Sequence, residues 1–212
     1  MSNNIKLIYG HDPLCGWCYG FGKVIKAFSE SLPEVPVSVY SGGLFSGART
    51  QAYSNLYDFI KNASGHLRDV TGRSPSEAFF NMIRSPEAGL ANSTPPSLAL
   101  ALVKEQAPEQ LLTFAVLLQE LHFEKGLSFN QAKIYDEATQ LLSLPPLDTG
   151  AVLQATDKHP KVEAMYRRTA ALGIRSFPTC LVINGENTVL DTISGVYNAD
   201  DFIARVARHI NK

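Results

Sequence analysis

The chain has 212 residues, 45% of them apolar and 18% charged, which is enough to bury a sizeable core and leaves no composition suited to disorder. Lys plus Arg number 19 and Asp plus Glu number 20, a formal net charge of -1 that lacks the basic footprint of a general nucleic-acid binder. The N-terminal MSNNIKLIYGHDP has no basic head leading into an apolar stretch, and no run approaches the ~18 apolar residues of a membrane span. A cytoplasmic chain with neither a membrane nor a nucleic-acid partner is therefore expected.

Residues 5–9 form a short β-prone run ending at Gly10. After HDPLCGWCYGF, apolar positions at Trp17, Phe21, Val24, Ile25, Phe28 and Leu32 recur at helical spacing, and Pro33 closes the segment. Residues 35–40 (VPVSVY) read as a second strand ended by Ser41-Gly42-Gly43. Strand, helix, strand predicts a βαβ unit with two parallel strands and a right-handed crossover.

The middle of the chain predicts helices and no strand. Residues 51–60 are a weak amphipathic candidate. Ser74-Pro75-Ser76-Glu77 fits a cap at Ser74, a proline at the first helical position and a capping-box glutamate. Thr94-Pro95 starts another helix, and Pro108 starts one that runs through LLTFAVLLQELHFEK to a glycine cap at Gly126. Residues 130–142 suit a further helix. The apolar stretches at 98–103 and 111–118 suit buried helices.

Residues 160–172 predict a helix closed by Gly173. Residues 177–183 (FPTCLVI) and 189–194 predict two strands joined by a tight turn at Asn184-Gly185. Residues 199–210 predict a closing helix with Phe202, Ile203, Val206 and Ile210 on one face. The expected fold class is α/β: a mixed four-stranded sheet interrupted by an all-helical insertion. The expected division is 1–48 plus 158–212 for the sheet domain and 49–157 for the insertion.

Three cysteines cannot form a multi-disulfide framework, but Cys15 and Cys18 are spaced C-x-x-C just after a strand and at the opening of a helix. A helix N-terminus presents unpaired N–H groups and a partial positive charge, and both favour a thiolate. Cys15, at the accessible turn, is the expected nucleophile. Cys18, one turn further in, is the expected resolving thiol. A structural zinc site wants four N or S ligands, and no second pair stands at a zinc-like spacing, so no metal is expected.

Further downstream, Ser176-Phe177-Pro178-Thr179 opens a strand with a proline. An ordinary trans proline is the default there. Asp12 has two possible roles, taking or relaying the proton of Cys18 or simply shaping the turn. His11 reads as a surface histidine, with thiolate stabilisation as the alternative if it points inward. Trp17 reads as an apolar contact for substrates at the site surface, or as core. Cys180, in an apolar strand, reads as a buried thiol, or as a third redox thiol within reach of Cys18.

The C-x-x-C after the first strand, the strand-opening proline and the long helical insertion resemble the thioredoxin superfamily in its DsbA-like branch. The string Asp12-Pro13-Leu14-Cys15-Gly16-Trp17-Cys18 resembles the FrnE-like members, whose motif reads D-P-x-C-x-W-C. The resemblance implies a thioredoxin-like fold and a protein disulfide oxidoreductase. It further implies a cis peptide before Pro178, facing the sulfur of Cys15 and shaping a substrate groove. Cys15, Cys18 and Pro178 are then the catalytic residues, with Asp12, Gly16 and Trp17 supporting them. Phe177 and Thr179, on either side of the proline, are the candidate substrate-binding residues.

The expected partners are protein or small dithiol and disulfide substrates and a thiol reductant system, with no cofactor beyond the redox-active cysteines. Gly16-Trp17 replaces the Pro-His of the strongly oxidising members, so a more reducing pair is expected. Two other readings compete: a non-catalytic adaptor on the same fold, and a glutathione-dependent isomerase or transferase, whose members generally place serine at the first active cysteine.

Overall fold

The computed structural model describes residues 5–210. Strand β1 (Lys6–His11) leads through a tight turn into helix α1 (Gly16–Ser31) and back into β2 (Val37–Ser41). β1 and β2 are parallel, with Leu7 opposite Val37 and His11 opposite Ser41. The chain then makes a two-residue strand β3 (Gln51–Ala52), helices α2 (Tyr57–Thr71) and α3 (Glu77–Arg84), and a second two-residue strand β4 (Leu90–Ala91). Helices α4 (Thr94–Gln106), α5 (Leu111–Phe123), α6 (Ala132–Leu141), α7 (Thr149–Leu153) and α8 (Pro160–Ala171) follow. Strands β5 (Thr179–Ile183) and β6 (Val189–Ile193) and helix α9 (Ala199–Ala207) close the fold.

The main sheet runs in the order β2-β1-β5-β6, with β5 antiparallel to both β1 and β6. Its strands alternate in the expected way. Leu7, Tyr9, Cys180 and Val182 face the large core, while Ile8, Leu181 and Ile183 face a smaller cluster with Ile174. Phe21 and Phe28 of α1 meet Phe202 of α9 edge-on, with ring centroids 5.2 and 5.5 Å apart. One contiguous cluster of buried side chains continues from this face into the insertion through Phe79, Phe114 and Phe129. Helices α4 and α5 are buried on most sides, as their unbroken apolar stretches require. No helix among the described residues is long and apolar enough to cross a membrane.

Four local expectations change. The central segment does contain strands, since β3 and β4 pair Gln51 with Ala91 and Ala52 with Leu90. A two-residue bridge is too short to leave a period-two signature. The helix expected over 51–60 lies later: a 3₁₀ turn at Tyr53–Leu56 precedes α2, and only Leu67 of α2 is fully buried.

The cap of α3 is Ser76 rather than Ser74. Its hydroxyl accepts from Phe79 N (3.2 Å) and donates to the Glu124 carbonyl (2.7 Å), so a tertiary contact with the end of α5 selects between two plausible serines. The β5–β6 connection is a five-residue loop, not a two-residue turn. Ile183 pairs with Val189, the Asn184 side chain accepts from the N–H groups of Glu186 and Thr188, and Asn187 takes the left-handed conformation at φ 63°. Gly126 does close α5, at φ 67°.

Candidate active site

β1 delivers the chain to the edge of the sheet at His11, and Asp12-Pro13-Leu14 turns it into α1. Cys15 is the N-cap residue, in extended conformation, with its N–H donating to the Asp12 carbonyl at 3.0 Å. Cys15 and Cys18 are both free thiols and both buried. Cys15 is only 6% exposed, less accessible than its place at the turn suggested. Across from it stands the loop before β5, whose Phe177–Pro178 peptide bond is cis. The Cys15 thiol donates to the Phe177 carbonyl at 3.4 Å. Burial pushes the Cys18 thiol well above its ordinary range, and its neighbour Cys15 pushes the same way.

Asp12 is completely buried, and three donors converge on its carboxylate: Leu14 N (3.1 Å), Leu44 N (2.7 Å) and the Ser93 hydroxyl (2.9 Å). Burial outweighs these bonds and raises its pKa to about 6. Turn-shaping is thus visible in the Leu14 bond.

Gln119, from the middle of α5, reaches the same loop. Its Nε2 lies 3.1, 3.3 and 3.2 Å from the carbonyls of Asp12, Pro13 and Cys15. Three surrounding acceptors assign the amide nitrogen to this side.

Several other site residues sit differently from expectation. His11 is buried, not at the surface. Neither of its ring nitrogens has a hydrogen-bond partner among the described residues, and burial lowers its pKa to about 3. It follows the inward parity of Leu7 and Tyr9 along β1, which a strand of alternating contacts imposes. Thr179 is buried as well, and its hydroxyl donates to the Ser176 carbonyl at 2.8 Å, bracing the loop before β5.

The Phe177 ring packs over Gly42, where a Cβ would lie 1.7 Å from its Cζ; only glycine leaves room for it. Cys180 is a core thiol opposite Tyr9, pushed up by burial. Gly16 opens the helix with Leu67 as the nearest atom a Cβ would meet, at 3.6 Å. Trp17 is half-buried between His66 and Tyr197, with ring centroids 5.4 and 5.5 Å away.

Two hollows flank Trp17. One, of about 390 Å³, is an open groove edged by Trp17, His66, Phe177, Pro178 and Tyr197. The other, of about 310 Å³, is more enclosed, has Cys15 in its wall and extends under α2 and α5. Among the described residues no cluster of three or more His, Cys, Asp or Glu side chains is placed to hold a metal.

No protein-family model matches the chain, and no curated protein matches it. Solved structures do. The cytosolic disulfide reductase DsbM from Pseudomonas aeruginosa superposes with a TM-score of 0.80 at 20% identity, over 97% of this chain and 98% of that one. The same reductase with GSH gives a TM-score of 0.75 at 22% identity, over 98% and 100%. BdbD from Bacillus subtilis gives 0.59 at 12% identity over 99% and 89%, and a 2-hydroxychromene-2-carboxylate isomerase gives 0.63 at 10% over 95% and 96%. The chain has the DsbA-like thioredoxin fold.

In this DsbA-like arrangement the insertion is part of the site. Gln119, Ser93 and His122 all come from it, and sequence reasoning named none of them. The signal for Gln119 was present: one amide directly follows the apolar stretch FAVLL. Ser93 holds the N-cap position of α4, yet its hydroxyl makes no cap bond and donates to Asp12.

Proposed function

We propose that the protein is a thiol–disulfide oxidoreductase working through Cys15 and Cys18. The observation that carries this reading is the C-x-x-C pair at the N-terminus of α1, set against the Phe177-Pro178 loop whose carbonyl receives the Cys15 thiol at 3.4 Å. The Cys15 thiolate attacks a substrate disulfide. One substrate sulfur leaves as a thiolate, and a mixed disulfide forms on Cys15. Cys18 then gives up its proton and attacks the Cys15 sulfur, releasing the second substrate thiol and leaving an enzyme disulfide. Asp12, raised to about 6, is ionised at neutral pH and serves as the acceptor for the Cys18 proton.

The substrates are protein or small-molecule disulfides, run towards reduction or isomerisation in the cytoplasm. The scheme requires no metal or organic cofactor. Electrons return from a thiol pool or a partner reductase, and the glutathione bound in the DsbM structure supports a thiol of that kind. The D-P-x-C-x-W-C string supports a place in the FrnE-like branch.

A glutathione redox titration read from the fluorescence of Trp17, the single tryptophan, tests the reading. A potential near the thioredoxin value of about -270 mV is expected. A value near the DsbA value of about -120 mV overturns the reductase direction. Absence of any titration leaves a protein-binding role ahead. Glutathione-dependent turnover that survives Cys18→Ser would favour the isomerase or transferase chemistry instead.

A further inference from the structure

The enclosed hollow beside Cys15 differs from the open groove on the far side of Trp17. It lies between the active-site turn and the insertion, walled by side chains such as Leu14, Phe45, Ile60, Leu67, Phe79 and Phe123. None of the residues lining it is Asp, Glu, Lys or Arg.

Ser64, Tyr53 and His122 of its lining are engaged in hydrogen bonds. The Ser64 hydroxyl donates to the Lys61 carbonyl at 2.7 Å. His122 Nδ1 donates to the Leu127 carbonyl at 2.8 Å, which leaves Nε2 to accept from the Tyr53 hydroxyl at 3.4 Å. This ring is fully buried and stays neutral, since burial lowers its pKa to about 4. Phe59, 71% exposed, stands at the mouth as an apolar lip. About 310 Å³ is at the small end of ligand-sized cavities, and the enclosure suits a compact molecule more than an extended chain.

We infer that this cavity takes the organic arm of an uncharged, apolar low-molecular-weight disulfide while its sulfur is exchanged at Cys15. The inference rests on the oxidoreductase reading and names its substrate class. The chemistry follows from desolvation. An apolar arm gives up little on leaving water, whereas a carboxylate or ammonium entering this cavity meets no side chain of opposite charge in its lining. Glutathione, with two carboxylates and an ammonium, is a poor occupant.

The step balances without a further reagent in a single turnover. The prereduced Cys15–Cys18 pair supplies two electrons, the substrate S–S bond breaks, the arm is held transiently as Cys15–S–S–R, and two RSH leave as the enzyme disulfide forms.

Two aromatic chromogenic disulfides make the test, neutral dithiodipyridine and dianionic dithiobis(nitrobenzoate). Each is mixed with prereduced protein in a stopped-flow instrument, and each rate is divided by the rate with free dithiothreitol. A normalised preference of about 10-fold or more for the neutral probe is expected. Ala63→Lys, which plants an ammonium on the cavity wall from half-exposed α2, should move that preference towards the dianion by a similar factor. If both probes react at the free-dithiol ratio and Ala63→Lys changes nothing, the cavity assignment falls while the oxidoreductase reading stands. If neither probe is consumed, both fall.

Discussion

Asp12 and His11 are adjacent, both fully buried, and shifted in opposite senses by the same cause. Burial disfavours a charge of either sign, so it raises the carboxyl to about 6 and lowers the imidazole to about 3. For Asp12 the folded pKa lies above its unfolded value of 3.8. Between roughly pH 4 and 6 the unfolded chain binds fewer protons than the folded one, and this contribution to stability falls as pH rises. Asp12→Asn should remove that dependence. In urea titrations, the stability of the variant relative to the natural chain should rise by about 2 kcal/mol from pH 4 to pH 7. A difference that is flat with pH would place the carboxyl at an ordinary pKa.

His11 works the other way. Its folded pKa lies below the ordinary 6.5, so the unfolded chain binds the extra proton on acidification and the fold loses stability as pH drops from about 6.5 towards 3. Its two unpartnered nitrogens add a pH-independent cost. His11→Phe keeps the ring shape, and it should raise the urea midpoint at pH 7 by the equivalent of about 1–3 kcal/mol and more at pH 5. A lower midpoint at pH 7 would show that the imidazole has a partner.

At the scale of elements, α5 functions as a clamp on the first turn of α1. Gln119 Nε2 reaches three carbonyls of the turn that carries Cys15, adding to the bonds that the Asp12 and Cys15 carbonyls accept from Cys15 N and Tyr19 N. Gln119→Leu preserves volume and removes the donors. It should cost about 1–3 kcal/mol in chemical denaturation. It should also shift the reduction potential measured through Trp17, because the helix end that faces the thiols loses its register. An unchanged potential beside a lost stability would reduce Gln119 to a packing residue.

The elements themselves were largely legible. α1, α4, α5, α8 and α9 each carry an apolar spacing or a cap that needs no distant partner to be read. α2 was not, since it buries only Leu67 fully and is polar along most of its length. The cap of α3 was misplaced because two serines stand two positions apart, and the choice lies in a bond to Glu124, 48 residues away.

Across the whole molecule, Arg73 joins what the chain order separates. Its guanidinium is 5% exposed and stacks 4.0 Å from the Tyr19 ring centroid. It donates to the Tyr19 carbonyl at 3.1 Å and pairs with Glu120 (3.2 Å) and Glu124 (2.5 Å) of the α5 region. It thus pins α1 to the insertion next to the clamp made by Gln119. Arg73→Ala should destabilise by about 2–4 kcal/mol. A single cooperative transition should persist, because one core cluster spans the sheet and the insertion. Two separate transitions in calorimetry would mean that the insertion unfolds on its own and that this junction is weak.

The sequence by itself determined the order of most elements and the place of the C-x-x-C pair at the head of α1. Hydrophobic period, caps and C-x-x-C spacing are local properties, readable within a few residues. Only the tertiary structure decided how far Cys15 is covered, that His11 and Thr179 are buried, and that Ser93, Gln119 and Arg73 from the insertion build the site. The bonds of Arg73 to Tyr19, Ser93 to Asp12 and Gln119 to Asp12 join groups 54, 81 and 107 residues apart. Such a pairing is selected by the cost of leaving any one of them unmatched in the core, and that cost exists only once the core has formed.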